Sequence, residues 1–237
     1  MKTLKGSSSY LNNQVRKNLA IAILCLLLFL TLLFFSTLNI FVTLRLNVLQ
    51  EVGLLISLVP LGLFYFYMRQ YHRFRGGWQG EKQVSSLLSK TLSDDYLLIN
   101  DFYPRGGGDI DHIILGPNGI FVLETKNWSG QITCNGDSWQ RLGRSGFKAN
   151  PSLQVKRNAG RIKHIVDSSG ILSSMEVSVE GIVVFTNRHA TLRLCNPTVL
   201  ILQLPQLPNH ITAFRSARNL SSQQLTTIAE EILKQKR

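Results

Sequence analysis

"DIDHIILGPNGIFVLETKN", Asp109 to Asn127, decides how this chain folds. Gly116-Pro117-Asn118-Gly119 separates two apolar runs, His112 to Leu115 and Ile120 to Thr125, which is the pattern of a β-hairpin. Centring the turn on Pro117-Asn118 sets Asp111 opposite Glu124. Centring it on Asn118-Gly119 sets Asp111 opposite Lys126. Alternate residues of a strand share a side, so either register puts all three side chains on one face. Directly opposed Cβ atoms lie about 4.5–5.5 Å apart. Two carboxylates that close repel unless a proton, an ammonium group or a metal ion relieves them. Two readings stand on spacing alone: a salt-bridged sheet edge, with both acids paired to Lys126, or a site for a divalent cation, which takes hard oxygen ligands.

The flanking sequence builds a mixed α/β domain around this hairpin. Val84, Leu87, Leu88 and Thr91 recur at helical spacing from Gln79 onward, and Ser93-Asp94-Asp95 stops the run. Glu81 lies three residues before Val84, on or near the buried stripe; a first-turn glutamate is also favoured by the helix dipole. Tyr96 to Ile99 reads as a strand, Arg105 to Gly108 as a flexible connector, and Gln131 to Leu142 as a second hairpin about Asn135-Gly136. Asn150-Pro151 opens a helix, with Asn as cap and Pro at the first position. Its apolar stripe is Val155, Ala159, Ile162 and Val166. Lys156, Arg157, Arg161, Lys163 and His164 provide its basic side chains. Gly181 to Phe185 and Thr198 to Leu202 read as buried strands, and Ser221 to Gln224 as a capping box opening a last helix.

Upstream the composition changes. Leu19 to Val42 and Val52 to Met68 hold no charged residue, and a bilayer core takes about 20 apolar residues, with roughly 17 tolerated. The first run is too long for a signal-peptide core. The expected organisation is a tail over 1–18, a two-helix transmembrane hairpin over 19–68, a basic linker over 69–77 and a globular domain over 78–237. Lys2, Lys5, Arg16 and Lys17 precede the first span, and Arg69, Arg73 and Arg75 follow the second. Positive flanks mark the cytoplasmic side, so both the N-terminus and the domain are expected there. Residues 1–68 carry five basic side chains against Glu51, which leaves +8 of the formal +12 after Met68. That excess suits a polyanion, either nucleic acid or anionic lipid. Cys25, Cys134 and Cys195 form no CxxC pair, which argues against a disulfide framework or a zinc site.

Taken together, Gly80-Glu81 at a helix start, the hairpin, Gly130, "NPSLQVKRNAGRIKHIV" and "EGIVVFTN" resemble the nuclease-related domain, the NERD family, from about Trp78 to Asn187. That family is placed with the restriction-endonuclease-like PD-(D/E)xK superfamily. The resemblance implies a restriction-endonuclease-like mixed sheet flanked by helices. It implies Mg²⁺- or Mn²⁺-dependent hydrolysis of phosphodiester bonds in nucleic acid, DNA first. Asp111 matches the metal-binding aspartate, Glu124 the acid of the (D/E)xK motif and Lys126 its lysine. Glu81 matches a helix glutamate that supplies another ligand, and Gln154 a glutamine that accompanies the site. Lys156, Arg157, Arg161 and Lys163 then become candidates for the nucleic-acid backbone. The alternative is a catalytically silent module with the same fold that binds nucleic acid or is tethered to the membrane.

Three features carry less. His112 has the opposite parity to Asp111 and is expected to pack rather than react. The Gly106-Gly107-Gly108 run lacks the lysine of a phosphate-binding loop. Trp128 and Trp139 read as packing residues before base-stacking ones.

Overall fold

The computed structural model describes residues 1–5, 9–43, 48–105, 107–143, 148–170, 177–216 and 219–236. The chain divides into two compact units: Ser9–Trp78, and Met1–Ser8 together with Gln79–Arg237.

The first unit is helical. Helix α1 spans Ser9–Thr43 and helix α2 begins at Val48 and runs to Thr91, passing into the second unit. Both are long and apolar enough to cross a membrane. Leu24, Phe34, Phe35, Leu55, Val59 and Tyr65 are exposed, a pattern that water does not favour. Arg45 and Asn47, between the two runs, lie outside the described residues. The stretch over 69–77, expected as a basic linker, is part of helix α2. Gly76 and Gly77 each weaken a helix by about 1 kcal/mol. The turns around them are tied side chain to side chain, with Arg75 Nη1 donating to Tyr71 Oη at 3.1 Å and its guanidinium over the same ring. A glycine pair inside a long, otherwise favourable helix does not stop it.

The second unit is a mixed sheet between helices. Its strands are β1 (Lys2–Lys5), β2 (Leu97–Phe102), β3 (Ile110–Gly116), β4 (Gly119–Lys126), β7 (Val179–Phe185) and β9 (Leu200–Gln203), adjacent in that order. The β2–β3 and β3–β4 pairs are antiparallel; β1–β2, β4–β7 and β7–β9 are parallel. Strand β1 lies in the stretch read as a tail. Nothing periodic marks it, because an edge strand of four residues is defined by its partner. A second sheet of three strands, β5 (Gly130–Asn135), β6 (Ser138–Arg141) and β8 (Ala190–Cys195), takes up the second hairpin.

Strand alternation gives the main sheet two different faces. On one, Val84 and Leu88 of α2 pack against Leu98, Ile114, Phe121, Leu123, Ile182 and Val184. On the other, α3 (Pro151–Ser168) and α5 (Ser222–Lys234) cover Ile113, Leu115, Val122, Val183 and Phe185 through Val155, Ile162, Ile228 and Ile232. Asn150 caps α3, accepting from Leu153 N–H at 3.0 Å, and Ser221 with Gln224 closes a reciprocal capping box on α5. A short helix α4 (Leu207–Ala213) locks the hairpin turn: Asn118 Nδ2 donates to the carbonyls of Ile211 and Phe214 at 2.6 and 3.1 Å. Gly119 sits at φ 142°, a conformation that suits glycine at the turn.

Candidate active site

The β3–β4 register pairs His112 with Leu123 and Gly116 with Gly119, which is the alignment centred on Pro117-Asn118. Continued by one step, it sets Asp111 opposite Glu124. Both acids, with Lys126, have the parity of Ile113, Leu115 and Val122 and therefore belong to the face covered by α3. The site lies at the carboxyl end of β4, where that strand runs parallel to β7 and Lys126 pairs with Phe185. Carboxyl ends of parallel strands are where open α/β sheets bind ligands.

Each functional group is held by short local contacts. Asp111 Oδ2 accepts from the backbone N–H of Thr125 at 2.6 Å. Lys126 Nζ donates to Glu124 Oε1 in a short ion pair and reaches Gln154 Oε1, on the first turn of α3, at 3.5 Å. The same ammonium lies 5.6 Å from the centre of the Trp128 ring, whose edge rests against Phe185. Trp139 is stacked on Phe185 and buried, so it belongs to the core.

Burial dominates the electrostatics. It pushes the Asp111 carboxyl up to about 6 against the pull of Lys126 and the Thr125 N–H. Burial, then the Asp111 charge, pushes Glu124 up to about 8. For Lys126, burial opposes the ammonium form, but Glu124 and Asp111 outweigh it and the pKa lies above the usual lysine value. The site thus holds a fixed cation and two acids that resist being charged together.

Two acids that sequence reasoning left out bear on this site. Asp101 and Asp109 both oppose ionisation of Asp111. Asp101 is buried at a φ of 54°, a left-handed conformation inside a strand. Non-glycine residues held there concentrate at functional sites. The signal was present in "LLINDF": a polar pair inside an otherwise apolar strand. Asp101, Asp109 and Glu81 all act on Tyr103, whose phenol is raised first by burial and then by Asp101. Glu81 is therefore near Tyr103. Among the described residues no three His, Cys, Asp or Glu side chains are grouped for one ion, so Asp111, Glu124 and Glu81 do not form a three-acid set.

The donor chemistry nonetheless suits a hard cation. Glu124 Oε2 is buried with no hydrogen-bond partner. Asp111 is the acid opposite it. A small divalent ion keeps several waters and needs only one or two carboxylates.

The basic side chains of α3 divide. Lys156 is held by Asp137 at 3.0 and 2.8 Å, and Lys163 pairs with Asp167 at 3.5 Å. The Arg161 guanidinium packs so close to Gly107 that a Cβ there would collide with it, while Arg157 is exposed. Gly106 lies outside the described residues. The connector read as flexible is pinned beyond it, because Asn158 Nδ2 donates to Asp109 O at 3.0 Å.

An acid pair and a lysine thus stand together at the end of a mixed sheet covered by helices, which makes this an α/β domain with a charged, partly buried site. Residues 76–186 are a nuclease-related domain, NERD. An uncharacterized protein of Bacillus anthracis is 40% identical over 60 residues, covering 24% of this chain and 28% of that protein. No solved structure matches the chain.

Proposed function

We propose that this protein is a membrane-anchored nuclease of the PD-(D/E)xK type, hydrolysing phosphodiester bonds in nucleic acid, with DNA the first substrate class. The observation that carries the reading is the grouping of Asp111, Glu124 and Lys126 on one sheet face, with Glu124 Oε2 buried and unpartnered. Mg²⁺ or Mn²⁺ bound by Asp111 and Glu124 would supply charge neutralisation and a more acidic water. Lys126 holds its ammonium where negative charge develops on the phosphate, and preorganised charge of that kind is the larger part of such catalysis. Gln154 and Trp128 keep that ammonium in place, and the Thr125 N–H fixes the Asp111 carboxylate. Arg157, an exposed arginine of the α3 basic set, meets the nucleic-acid backbone.

The membrane reading rests on α1 and α2 and on the charges flanking them. Connectivity adds support: β1 precedes α1 yet pairs with β2, so the chain leaves and re-enters one domain. Two crossings satisfy that, with the domain on the positively flanked, cytoplasmic side.

The test is cleavage of plasmid DNA by the full chain in detergent micelles with Mg²⁺ or Mn²⁺. Activity lost in Asp111→Asn and Lys126→Ala supports the proposal; activity retained in both places it elsewhere. The Lys126–Glu124 ion pair favours a second reading, a silent nucleic-acid-binding module in which the lysine serves structure alone. Salt-sensitive DNA binding without metal-dependent cutting selects it.

A further inference from the structure

Behind the acids, on the α2 face of the same strands, Ser85, Asn100 and His112 form a hydrogen-bonded knot. Asn100 Oδ1 accepts from Ser85 Oγ at 3.1 Å and from His112 Nδ1 at 2.7 Å. A carbonyl oxygen only accepts, so His112 carries its proton on Nδ1 and its lone pair on Nε2. Asn100 and His112 are both buried, and Nε2 has no hydrogen-bond partner. Burying such groups costs stability unless each is satisfied, and an apolar trio of similar volume would avoid that cost. The cost calls for a role beyond filling space.

Placement points to that role. Asn100 directly precedes Asp101, His112 directly follows Asp111, and Ser85 lies one helical turn after Glu81. Strand alternation turns 100 and 112 toward α2, and 111 toward α3. The β2–β3 register runs through Asn100 paired with His112 and resumes at Phe102 with Ile110, stepping over Asp101 and its left-handed backbone. The knot is therefore the last regular rung before the strained aspartate, and strain of that kind persists only where the surroundings hold it. The helix is seated beside it. A Cβ on Gly80 would lie 2.9 Å from Thr186 Oγ1 and 3.1 Å from Asn127 Cβ, so glycine lets α2 press onto the ends of β4 and β7, one residue from Glu81.

We propose that Ser85, Asn100 and His112 are positioning residues that register β2, β3 and α2 so that Asp111, and behind it Asp101, face the cation-binding side. The proposal rests on the metal-site reading above and deepens it. Partners behind metal ligands act on affinity as well as on rate, with losses of about 10–100-fold when removed.

The test is calorimetric titration of the full chain in micelles with Mn²⁺, beside thermal melting. His112→Leu is expected to weaken Mn²⁺ binding about 10-fold or more. His112→Gln, which keeps a donor for Asn100, restores most of it. Ser85→Ala, at a half-buried helix position that tolerates alanine, shows a smaller loss of several-fold. Under Mg²⁺, the same order appears in kcat for DNA with KM little changed. Unchanged Mn²⁺ affinity in a folded His112→Leu protein overturns the proposal. Should that variant not fold, unchanged affinity in Ser85→Ala overturns it. If wild type and Asp111→Asn titrate alike, the cation reading itself fails, and the positioning role with it.

Discussion

The two faces of the β3–β4 hairpin use the same strands for opposite ends. One carries Asp111, Glu124 and Lys126, charged groups crowded together. The other carries Leu123, Phe121 and Ile114 with the neutral Ser85–Asn100–His112 knot. The first face keeps an ion pair beside a buried carboxylate oxygen that no group satisfies; the second keeps a neutral knot in which Ser85 and His112 share one acceptor and His112 Nε2 has no partner. Both faces are anchored by apolar packing, and only the first carries the charged groups, so substitutions of charged and of apolar side chains should separate chemistry from stability.

The largest separation is expected at Lys126. Lys126→Ala should lower DNA cleavage by about 100-fold or more, the scale for removing one preorganised charge-stabilising group. Chemical denaturation at pH 5, where Glu124 holds a proton and no buried charge is left unpaired, should show little loss of stability in the same protein. A parallel fall in both would break the contrast. Phe121→Ala on the other face should cost about 3–5 kcal/mol of unfolding free energy, because it opens a cavity where the ring is fully buried and edge-on to Phe214. Unfolding midpoints in urea would measure it.

The pH dependence should differ in sign between the faces. Glu124 has a raised pKa, so in the metal-free fold it keeps a proton the unfolded chain has lost. Stability should therefore fall as pH rises from the usual glutamate value toward about 8, and Glu124→Gln should flatten that arm. Burial lowers His112 to about 3, so the unfolded imidazole takes up a proton that the folded one refuses. Stability should fall as pH drops below about 6.5, and His112→Gln should flatten that arm instead. Each effect is on the order of a few kcal/mol, read from denaturation midpoints between pH 4 and 9. Two arms that respond to the same single variant would count against the division of faces.

The smallest effects belong to the basic helix. Arg157→Ala should weaken DNA binding a few-fold and reduce the salt slope by about 1, whereas Lys156→Ala, already held by Asp137, should do less. Fluorescence anisotropy at two salt concentrations would rank them.

Much of this arrangement was legible in the residues. Gly116 to Gly119 define the hairpin, and two-residue alternation alone puts the acids and the lysine on one side. Asn150-Pro151 and Ser221–Gln224 marked helix starts because caps are local chemistry. What escaped was non-local. Strand β1 is four residues with no pattern of their own, and β8 is largely exposed, with no alternation to read. The basic, glycine-containing stretch over 69–77 reads as a linker, yet helical neighbours carry the backbone through. Asp101 escaped because its importance lies in a backbone twist and in the charges around Tyr103. No spacing rule encodes either.

Strand β1 has a practical consequence. Neighbouring parallel strands require a crossover, and the last turns of α2, from Gln79, already provide one between β1 and β2. The pair of long apolar helices is thus spliced into an otherwise ordinary strand–helix–strand unit. A truncation beginning at Gln79 would strip a strand and leave β2 with bare amides, inviting aggregation. A gene that joins Lys5 to Gln79 through a short polar loop should instead yield a water-soluble domain with its sheet intact.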